Sequence, residues 1–376
     1  MIYLDCNATT PLEPAVKDIV MYFLTEEFGN SGSRTHEFGM RAQRAVENAR
    51  AQVAAVVASE VSEVVFTSGA TESNNIAILG LAQFGAETGK LHIVSTSIEH
   101  KAVLEPLHQL REQGFEVTIV DPDRNGIVSA DRICANVRED TLLVSVMHVN
   151  NETGAIQPIG EISEQLKGRS AFFHVDAAQG FGKEIPTLKN PRIDLISISG
   201  HKIYAPKGVG ALIARRRGYN RLPIRPLMFG GGQERGLRPG TLPVHLLAGL
   251  GLASELAAKN WQKRITHCEE FKQHLLTELL PLNPRINGVA ESTMPNAINL
   301  SFPGIDSEAL MVALKSNMAI SNGSACTSHS YQPSHVLKAM GLKEDEIKGA
   351  IRISWCHMSE HPDWTQVKLL IQSYFD

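Results

Sequence analysis

Short apolar runs recur between residues 60 and 214 and alternate with segments of helical periodicity. The runs are almost continuously apolar, as expected for strands that are buried on both faces. They predict strands at 63–67, 91–95, 115–120, 142–149, 171–176, 195–199 and 208–214. Because strands separated by helices pair in parallel, the pattern predicts a large three-layer α/β domain with a mostly parallel sheet.

A second pattern begins after a glycine-rich loop at 229–241. The segment from Pro243 to about Leu280 has few helix breakers and is predicted to be one long helix that links two domains. The rest predicts a smaller α+β domain with strands at 296–302 and 350–356, helices at 306–316 and 361–375, and a polar loop at 321–333. We place the large domain at 15–255 and the small domain at 1–14 and 256–376.

Composition narrows the function classes. The 376 residues include 36 Lys and Arg against 40 Asp and Glu, a formal charge of −4, so direct nucleic-acid binding is not expected. The N-terminus resembles no signal peptide, and no run of about 18 apolar residues follows, so we expect a cytoplasmic protein with no membrane segment. The five cysteines are scattered and form no C-x-x-C pair, which indicates neither a disulfide framework nor a metal site.

Candidate chemistry lies where two predicted strands end. SISGHKIYAPKGVG (197–210) places Ser199, His201 and Lys202 after one strand, and VDAAQG (175–180) places Asp176 after another. A lysine can form a Schiff base with an aldehyde, and an acid can keep a pyridine nitrogen protonated, which is the pattern of a pyridoxal-phosphate (PLP) site. A lone loop lysine is usually only solvated, so the prediction depends on the combination.

A third segment supports the same cofactor. TSGATESNN (67–75) turns from a strand into a helix whose first residues are small. The amides of Ala70 and Thr71 are therefore candidates to bind a phosphate at the positive end of the helix. Taken alone, this segment is equally consistent with a capped helix start.

Three residues of the C-terminal part are further candidates. Cys326 lies among small polar residues in SNGSACTS (321–328), which suits a reactive thiol, although most free cysteines are buried and inert. Arg352 lies in an apolar strand and needs an anionic partner, either a substrate carboxylate or a structural acid. Cys356 would share the face of Arg352 if the strand persists, which would place a second thiol near the site.

Eight ordered segments resemble the NifS/IscS-type cysteine desulfurases, which belong to the class V branch of the fold-type I PLP-dependent transferases. The segments are YLDCNATTP, FTSGATESNN, IEHKAV, HVNNETG, HVDAAQG, SISGHKIYAPKGVG, GGGQERGLRPGT and NGSACTS. The resemblance spans nearly the whole chain. It implies a PLP enzyme that converts L-cysteine to L-alanine and passes the sulfur to an acceptor protein.

The resemblance also implies roles for individual residues. At the cofactor ring, Lys202 would form the Schiff base and Asp176 would pair with the pyridine nitrogen. Gln179 would form a hydrogen bond with the ring hydroxyl, and His100 would stack on the ring. The phosphate ligands would be Thr71, Ser199, His201 and, from the second subunit of a homodimer, Thr241. The substrate carboxylate would bind Asn151 and Arg352, and Cys326 would take the sulfur as a persulfide.

The branch of the family is a finer question. GNSGSRTHEFG (29–39) and IEHKAVLEPL (98–107) resemble the DndA-type desulfurases that feed DNA phosphorothioation. Sulfur supply for Fe–S clusters or tRNA thiolation is the alternative pathway. A class V aminotransferase, a selenocysteine lyase and a catalytically idle assembly partner are the alternative functions, and Cys326 separates the aminotransferase from the desulfurase.

Overall fold

The computed structural model describes residues 1–322 and 333–374. Its strands are β1 (Ile2–Tyr3), β2 (Val64–Thr67), β3 (His92–Thr96), β4 (Glu116–Val120), β5 (Thr141–Met147), β6 (Phe172–Asp176), β7 (Leu195–Ser199), β8 (Gly210–Ala214), β9 (Arg285–Ile286), β10 (Ala297–Ser301), β11 (Met318–Ala319) and β12 (Ala350–Ser354). Its helices are α1 (Pro14–Thr25), α2 (Glu37–Val56), α3 (Ala70–Leu79), α4 (Ala82–Thr88), α5 (Lys101–Glu112), α6 (Ala130–Ala135), α7 (Ile159–Gln165), α8 (Val244–Leu279), α9 (Ser307–Leu314), α10 (His335–Ala339), α11 (Glu344–Lys348) and α12 (Trp364–Gln372).

The central sheet has the strand order β2-β8-β7-β6-β5-β3-β4, and all seven strands predicted between residues 60 and 214 take part in it. The strands from β7 to β4 in this order pair in parallel. Parallel pairing is wrong for β8, which runs antiparallel to both β7 and β2. The connection from Ser199 to Gly210 is too short for a parallel crossover, which needs about a dozen residues or more. The predicted mostly parallel sheet is confirmed.

Both faces of this sheet are covered by helices. On β2, Val64 and Phe66 pack in one buried cluster with α2 and α8, whereas Val65 packs in another with α3 and α5. Neighbouring residues Ile93 and Val94 on β3 divide between the same two clusters. Since alternate side chains of a strand point to opposite faces, the sheet is the middle of three layers, as predicted.

A smaller antiparallel sheet, in the order β12-β10-β9, forms the core of the C-terminal part. The chain start joins it, because β1 pairs with β11 and Leu4 packs in the same buried cluster as α9 and α12. The predicted α+β fold of this part is confirmed. The exact domain bounds, 15–255 against 1–14 and 256–376, stay a prediction.

Helix α8 connects the two cores, as its uninterrupted pattern predicts. Its first half, including Leu247 and Leu250, packs against the large sheet, and its second half, including Phe271 and Leu275, packs in the C-terminal cluster. Within residues 1–322 and 333–374, no helix has both the length and the apolar character needed to cross a bilayer. Most of the predicted loop at 321–333, with Cys326, lies outside the described residues.

Candidate active site

A cavity of about 520 Å³ opens at the carboxyl ends of the central strands. Met147 at the end of β5 and Asp176 at the end of β6 are register partners, and Ser199 ends the neighbouring β7. All three line the cavity. Ligands of open α/β sheets bind at this edge, because the chain leaves the parallel strands there and its loops converge.

Most of the predicted site residues meet in this cavity. Its lining includes Ala70, Thr71, His100, Asn151, Asp176, Gln179, Ser199, His201, Lys202 and Arg352. Thr241 does not line the cavity of its own chain and is exposed. Cys326 lies outside the described residues, so its position relative to the cavity stays a prediction.

Lys202 lies in a short helical turn, Gly200–Lys202, directly after β7. Its ammonium donates hydrogen bonds to the backbone carbonyls of Asn7 and Ala8, the latter at 2.8 Å. The neighbouring His201 bonds through Nδ1 to the hydroxyl of Thr9 at 3.2 Å. Burial and the charges of nearby lysines lower the pKa of His201 to about 4, so its imidazole is neutral at neutral pH.

Asp176 is held by two hydrogen-bond donors. The side-chain amide of Asn74 donates to Oδ2 at 2.7 Å, and the backbone N–H of Ala178 donates to Oδ1 at 3.0 Å. Asn74 is completely buried on α3, the helix whose first residues, Ala70 and Thr71, also line the cavity. One helix therefore supplies both the proposed phosphate cradle and the residue that orients the acid.

His100 begins helix α5 as its N-cap, and its Nδ1 accepts a hydrogen bond from the backbone N–H of Ala102 at 3.0 Å. Burial lowers the pKa of His100; the charge of Asp176 opposes this effect and that of Lys202 adds to it. The ring is therefore neutral at neutral pH, with its proton on Nε2. The capping bond fixes the ring where it lines the cavity.

The start of α3 approaches the sheet unusually closely. Gly69 precedes the helix with a φ of +153°, which side-chain-bearing residues rarely adopt. A Cβ atom on Gly210 of β8 would lie 2.6 Å from the Cα of Gly69, so both positions require glycine. Ala70 and Thr71, the first two residues of α3, line the cavity directly after this close contact.

Arg352 has the anionic partner that its buried position requires. Its guanidinium donates to Asp5 Oδ1 at 2.5 Å and to the backbone carbonyl of Asn151 at 2.9 Å. Its Nε is buried and has no hydrogen-bond partner among the described residues. The structural ion pair is therefore present, and Nε still offers a donor to a ligand in the cavity.

Cys356 does not share the site with Arg352. Strand β12 ends at Ser354, so the expected alternation of faces does not reach residue 356. The thiol packs instead against Cys6 and Tyr204. Cys356 is not among the described residues that line the cavity, and the expectation of a second thiol there is wrong.

Asn7 and Asn74 line the cavity and hold predicted site residues, but they were not themselves predicted from sequence. Asn7 accepts hydrogen bonds from Lys202 and from the side-chain amide of Gln179, the latter at 2.8 Å, through its backbone carbonyl. Asn74 acts through Asp176, as described above. Both lie inside the segments YLDCNATTP and TSGATESNN, which was the available signal, but neither carries a reactive group that would single it out.

Comparison with known proteins identifies the family. Residues 2–367 match the model of the class V aminotransferases. The chain belongs to this family. It is 45% identical over 357 residues to the cysteine desulfurase IscS of Vibrio cholerae, which covers 94% of this chain and 87% of the relative. The class V and NifS/IscS resemblance inferred from the eight segments is confirmed.

Solved structures of similar proteins agree with this assignment. A NifS-like protein superposes with a TM-score of 0.89 at 37% identity, covering 99% of this chain and 98% of its own. DndA from Streptomyces lividans superposes with a TM-score of 0.83 at 49% identity, covering 94% and 99%. The predicted fold-type I architecture of a class V enzyme is confirmed.

The cavity residues fit PLP, the cofactor of this family. Gln179 Oε1 is buried and has no hydrogen-bond partner among the described residues, so it can accept a bond from the ring hydroxyl. Asp176 would suit the pyridine N–H, and Thr71, Ser199 and His201 would be the phosphate donors. Lys202 would be the amine for the aldehyde.

Glu99 lies behind this cavity, next to His100 in the chain, and is completely buried. Its Oε1 accepts bonds from the Thr96 hydroxyl at 2.7 Å and the Met147 N–H at 2.8 Å, while Oε2 has no partner among the described residues. Burial raises the pKa of Glu99 to about 8, although the two hydrogen bonds oppose the shift. The carboxyl is therefore mostly protonated at neutral pH.

Replacing Glu99 by Gln is expected to change the pH dependence of stability. Because the pKa of Glu99 is higher in the folded chain, the folded state binds more protons between about pH 4.5 and 8, and its stability falls as pH rises, by at most about 1.4 kcal/mol per pH unit. Glu99→Gln should remove this component. Urea unfolding at several pH values checks it, with exposed Glu87→Gln as control. Equal pH profiles for the wild type and Glu99→Gln would contradict the prediction.

Proposed function

We propose that this chain is a PLP-dependent cysteine desulfurase, which converts L-cysteine to L-alanine and holds the sulfur as a persulfide on Cys326. The observation that carries the proposal is the convergence of Lys202, Asp176 and Arg352 on one cavity in a chain of this family. The 45% identity with IscS supports the substrate and the reaction. PLP, when bound, supplies an electron sink for charge that develops on the substrate Cα.

Lys202 is proposed as the amine that removes the α-proton of the substrate at its Nζ. The carbonyls of Asn7 and Ala8 hold this nitrogen at the cavity wall as an ammonium, so it can act as a base there once it has lost a proton. Asp176 is oriented by Asn74 and would hold the pyridine N–H of the bound cofactor. His100 is proposed to stack on the ring, because its capping bond fixes the neutral imidazole at the cavity.

Arg352 and Asn151 are proposed to bind the substrate carboxylate. The unpaired Nε of Arg352 offers one charge-assisted hydrogen bond, and exchange of Asp5 for the substrate would offer a second. Asn151 is already positioned, because its backbone carbonyl accepts bonds from both Arg352 and the Asn7 amide. The carboxylate of the amino acid would thus be held at the side of the cavity nearest the small domain.

Cys326 is proposed to attack the substrate sulfur as a thiolate. The attack forms the persulfide S–S bond as the Cβ–S bond breaks, and the carbon skeleton leaves as alanine after protonation. An accessible thiol with an ordinary pKa of about 8.5 already has a useful thiolate fraction near neutrality. The persulfide then passes its outer sulfur to an acceptor protein.

Cys326→Ala is expected to reduce alanine release from L-cysteine about 100-fold or more, a loss typical of removing a catalytic group. The assay uses holoenzyme and a reductant that clears the persulfide. Cys134→Ala is the matched control, because Cys134 is a buried cysteine on α6 that does not line the cavity. Undiminished alanine release by Cys326→Ala would contradict the proposal, and turnover of a keto-acid acceptor would favour an aminotransferase.

Thr241 is proposed to reach the phosphate of a second subunit in a homodimer. The loop before it is fastened by the buried pair Arg50–Glu234, whose shortest distance is 2.7 Å, and by Arg238–Glu72 at 2.9 Å. Glu72 lines the cavity, yet Thr241 is exposed and turned away from the cavity of its own chain. An exposed hydroxyl next to a firmly held loop suits a contact across a subunit interface.

Mixing two inactive variants tests this arrangement. Thr241→Asp places a negative charge beside the phosphate, and Lys202→Ala removes the base. If Thr241 acts across the interface, mixed dimers contain one intact site, and co-refolded chains should recover up to about a quarter of wild-type turnover by random pairing. No recovery, or a fully active monomeric holoenzyme in sedimentation, would contradict the homodimer with a shared site.

The proposed destination of the sulfur is DNA phosphorothioation, through an acceptor protein and without DNA binding by this chain. The 49% identity with DndA supports this branch. Deleting the gene should remove phosphorothioate linkages from nuclease digests of the host genome, measured by mass spectrometry, and Cys326→Ala should fail to restore them. Unchanged linkages together with impaired Fe–S enzymes or tRNA thiolation would assign general sulfur supply instead.

A further inference from the structure

A second cluster of reactive groups lies beside the candidate active site but outside its cavity. Cys6 and Cys356 are each 1% exposed and pack together with Tyr204. Cys268 and Lys183 border the same region, because the charge of Lys183 acts on all three cysteines. None of these side chains has a role in the proposed desulfuration.

The backbone holds Cys6 and Cys356 as neighbours. Asp5 and Ser354 form a parallel bridge, and the N–H of Cys6 donates to the carbonyl of Ser354 at 3.0 Å. After Ser354 the strand ends, and a turn closed by the N–H of Ser359 to the carbonyl of Cys356 fixes the second cysteine. Backbone hydrogen bonds therefore hold both cysteines in place, so their thiols lie next to each other.

The pair has the protonation asymmetry of a reactive dithiol. The hydrogen bond from the Cys6 thiol is the main reason that the pKa of Cys356 is lowered, although burial opposes it. The N–H of Met358 and the hydroxyl of Ser359 also point at Cys356 Sγ, at 3.4 and 3.7 Å. The same thiol contact raises the pKa of Cys6. One sulfur is thus the nucleophile and the other holds the proton.

Lys183 is the basic neighbour of the pair: burial lowers the pKa of its amine, and the charges of Cys6, Cys268 and Cys356 oppose that shift. The side chain is buried, and its Nζ has no hydrogen-bond partner among the described residues. Together with Tyr204 and Cys268 it lines a cavity of about 20 Å³, which is room for one water-sized molecule. Tyr204 lines this cavity and also packs against Cys6 and Cys356, so the cavity and the unused donor of Lys183 are separated from the two thiols by one side chain.

We propose that Cys6 and Cys356 form a redox-active dithiol, which hydrogen peroxide oxidises to an intramolecular disulfide. This modification goes beyond the proposed desulfurase function and does not depend on it.

The chemistry balances in two steps. The thiolate of Cys356 attacks one peroxide oxygen, the O–O bond breaks, and Cys356 becomes a sulfenic acid while hydroxide leaves and takes a proton to form water. The sulfur of Cys6 then attacks the sulfenic sulfur, the S–O bond breaks, and the Cys6 proton leaves with the oxygen as a second water. Each cysteine gives up one electron, and the peroxide accepts both.

The modification would act on the active site through one residue. Cys6 is followed by Asn7, whose carbonyl accepts hydrogen bonds from Lys202 and Gln179. A covalent S–S bond requires the two sulfurs to approach to about 2.05 Å, closer than two thiols in contact. Closing this distance pulls on the segment that holds the lysine.

Thiol mapping of the holoenzyme tests the proposal, and the sequence makes it simple. The five cysteines fall in five different tryptic peptides, which are 1–17 for Cys6, 133–138 for Cys134, 265–272 for Cys268, 316–338 for Cys326 and 353–368 for Cys356. A Cys326→Ala background removes the loop thiol from competition. The protein is treated with hydrogen peroxide, quenched with an alkylating agent under denaturing conditions, and digested without reductant.

We expect a peptide pair that joins 1–17 to 353–368, smaller by two hydrogens than the sum of its parts and separated by dithiothreitol. Adding Cys6→Ser or Cys356→Ser should abolish it, whereas the matched Cys134→Ser should not. Cys356 should be oxidised about tenfold or more faster than Cys134, because more of it is thiolate. The first measurement needs no substitution in the dithiol, so a folding defect in either variant does not affect it.

Three results would overturn the proposal. One is recovery of both Cys6 and Cys356 as alkylated thiols after a treatment that oxidises Cys134. Another is a crosslink from either cysteine to the Cys268 peptide instead of to its proposed partner. The third is oxidation of Cys356 to the sulfinic acid without any link to Cys6. Because none of these measurements uses L-cysteine turnover, failure here is separate from failure of the desulfurase assignment.

Discussion

The segment from Asp5 to Thr10 is the constraint on which the rest of the site depends. On one side, the N–H of Cys6 pairs with β12 and Asp5 neutralises Arg352. On the other side, carbonyls of this segment hold Lys202, and the N–H of Thr10 donates to the carbonyl of His201 at 2.9 Å. Arg352 lies on β12 of the small sheet, and Lys202 directly follows β7 of the large sheet. This segment therefore sets the distance between them.

The parts of the fold that can be predicted from the sequence are those that depend on the period of the hydrophobic positions and on the lengths of the connections. The seven runs of the large sheet and the long helix α8 were all predicted, because buried strands and an uninterrupted helix leave strong local patterns. The direction of β8 was not, because alternation of strands and helices was assumed to continue past Ser199. The length of a connection is visible in sequence, and here it carried more information than the pattern.

The candidate site was predictable where its chemistry belongs to single side chains at strand ends, such as Lys202 and Asp176. It was not predictable where a contact depends on tertiary approach. The carbonyl of Asn7 contributes no side-chain chemistry, and Asn74 acts only because α3 brings its amide to 2.7 Å from Asp176. For Cys356 the prediction from sequence was wrong. It assumed that the strand continues as far as residue 356, but β12 ends two residues earlier.

Burial explains how so many polar groups can surround one cavity without opposing each other. At neutral pH the pKa values of His201, about 4, and of Glu99, about 8, leave these groups uncharged. Net charge facing the cavity is therefore concentrated on a few residues such as Asp176, Lys202 and Arg352, each held by hydrogen bonds. In a medium of low polarity, fixed charges act strongly on a bound ligand, and neutral neighbours do not screen them. The same burial that makes His201 and Glu99 neutral thus strengthens the groups that carry the chemistry.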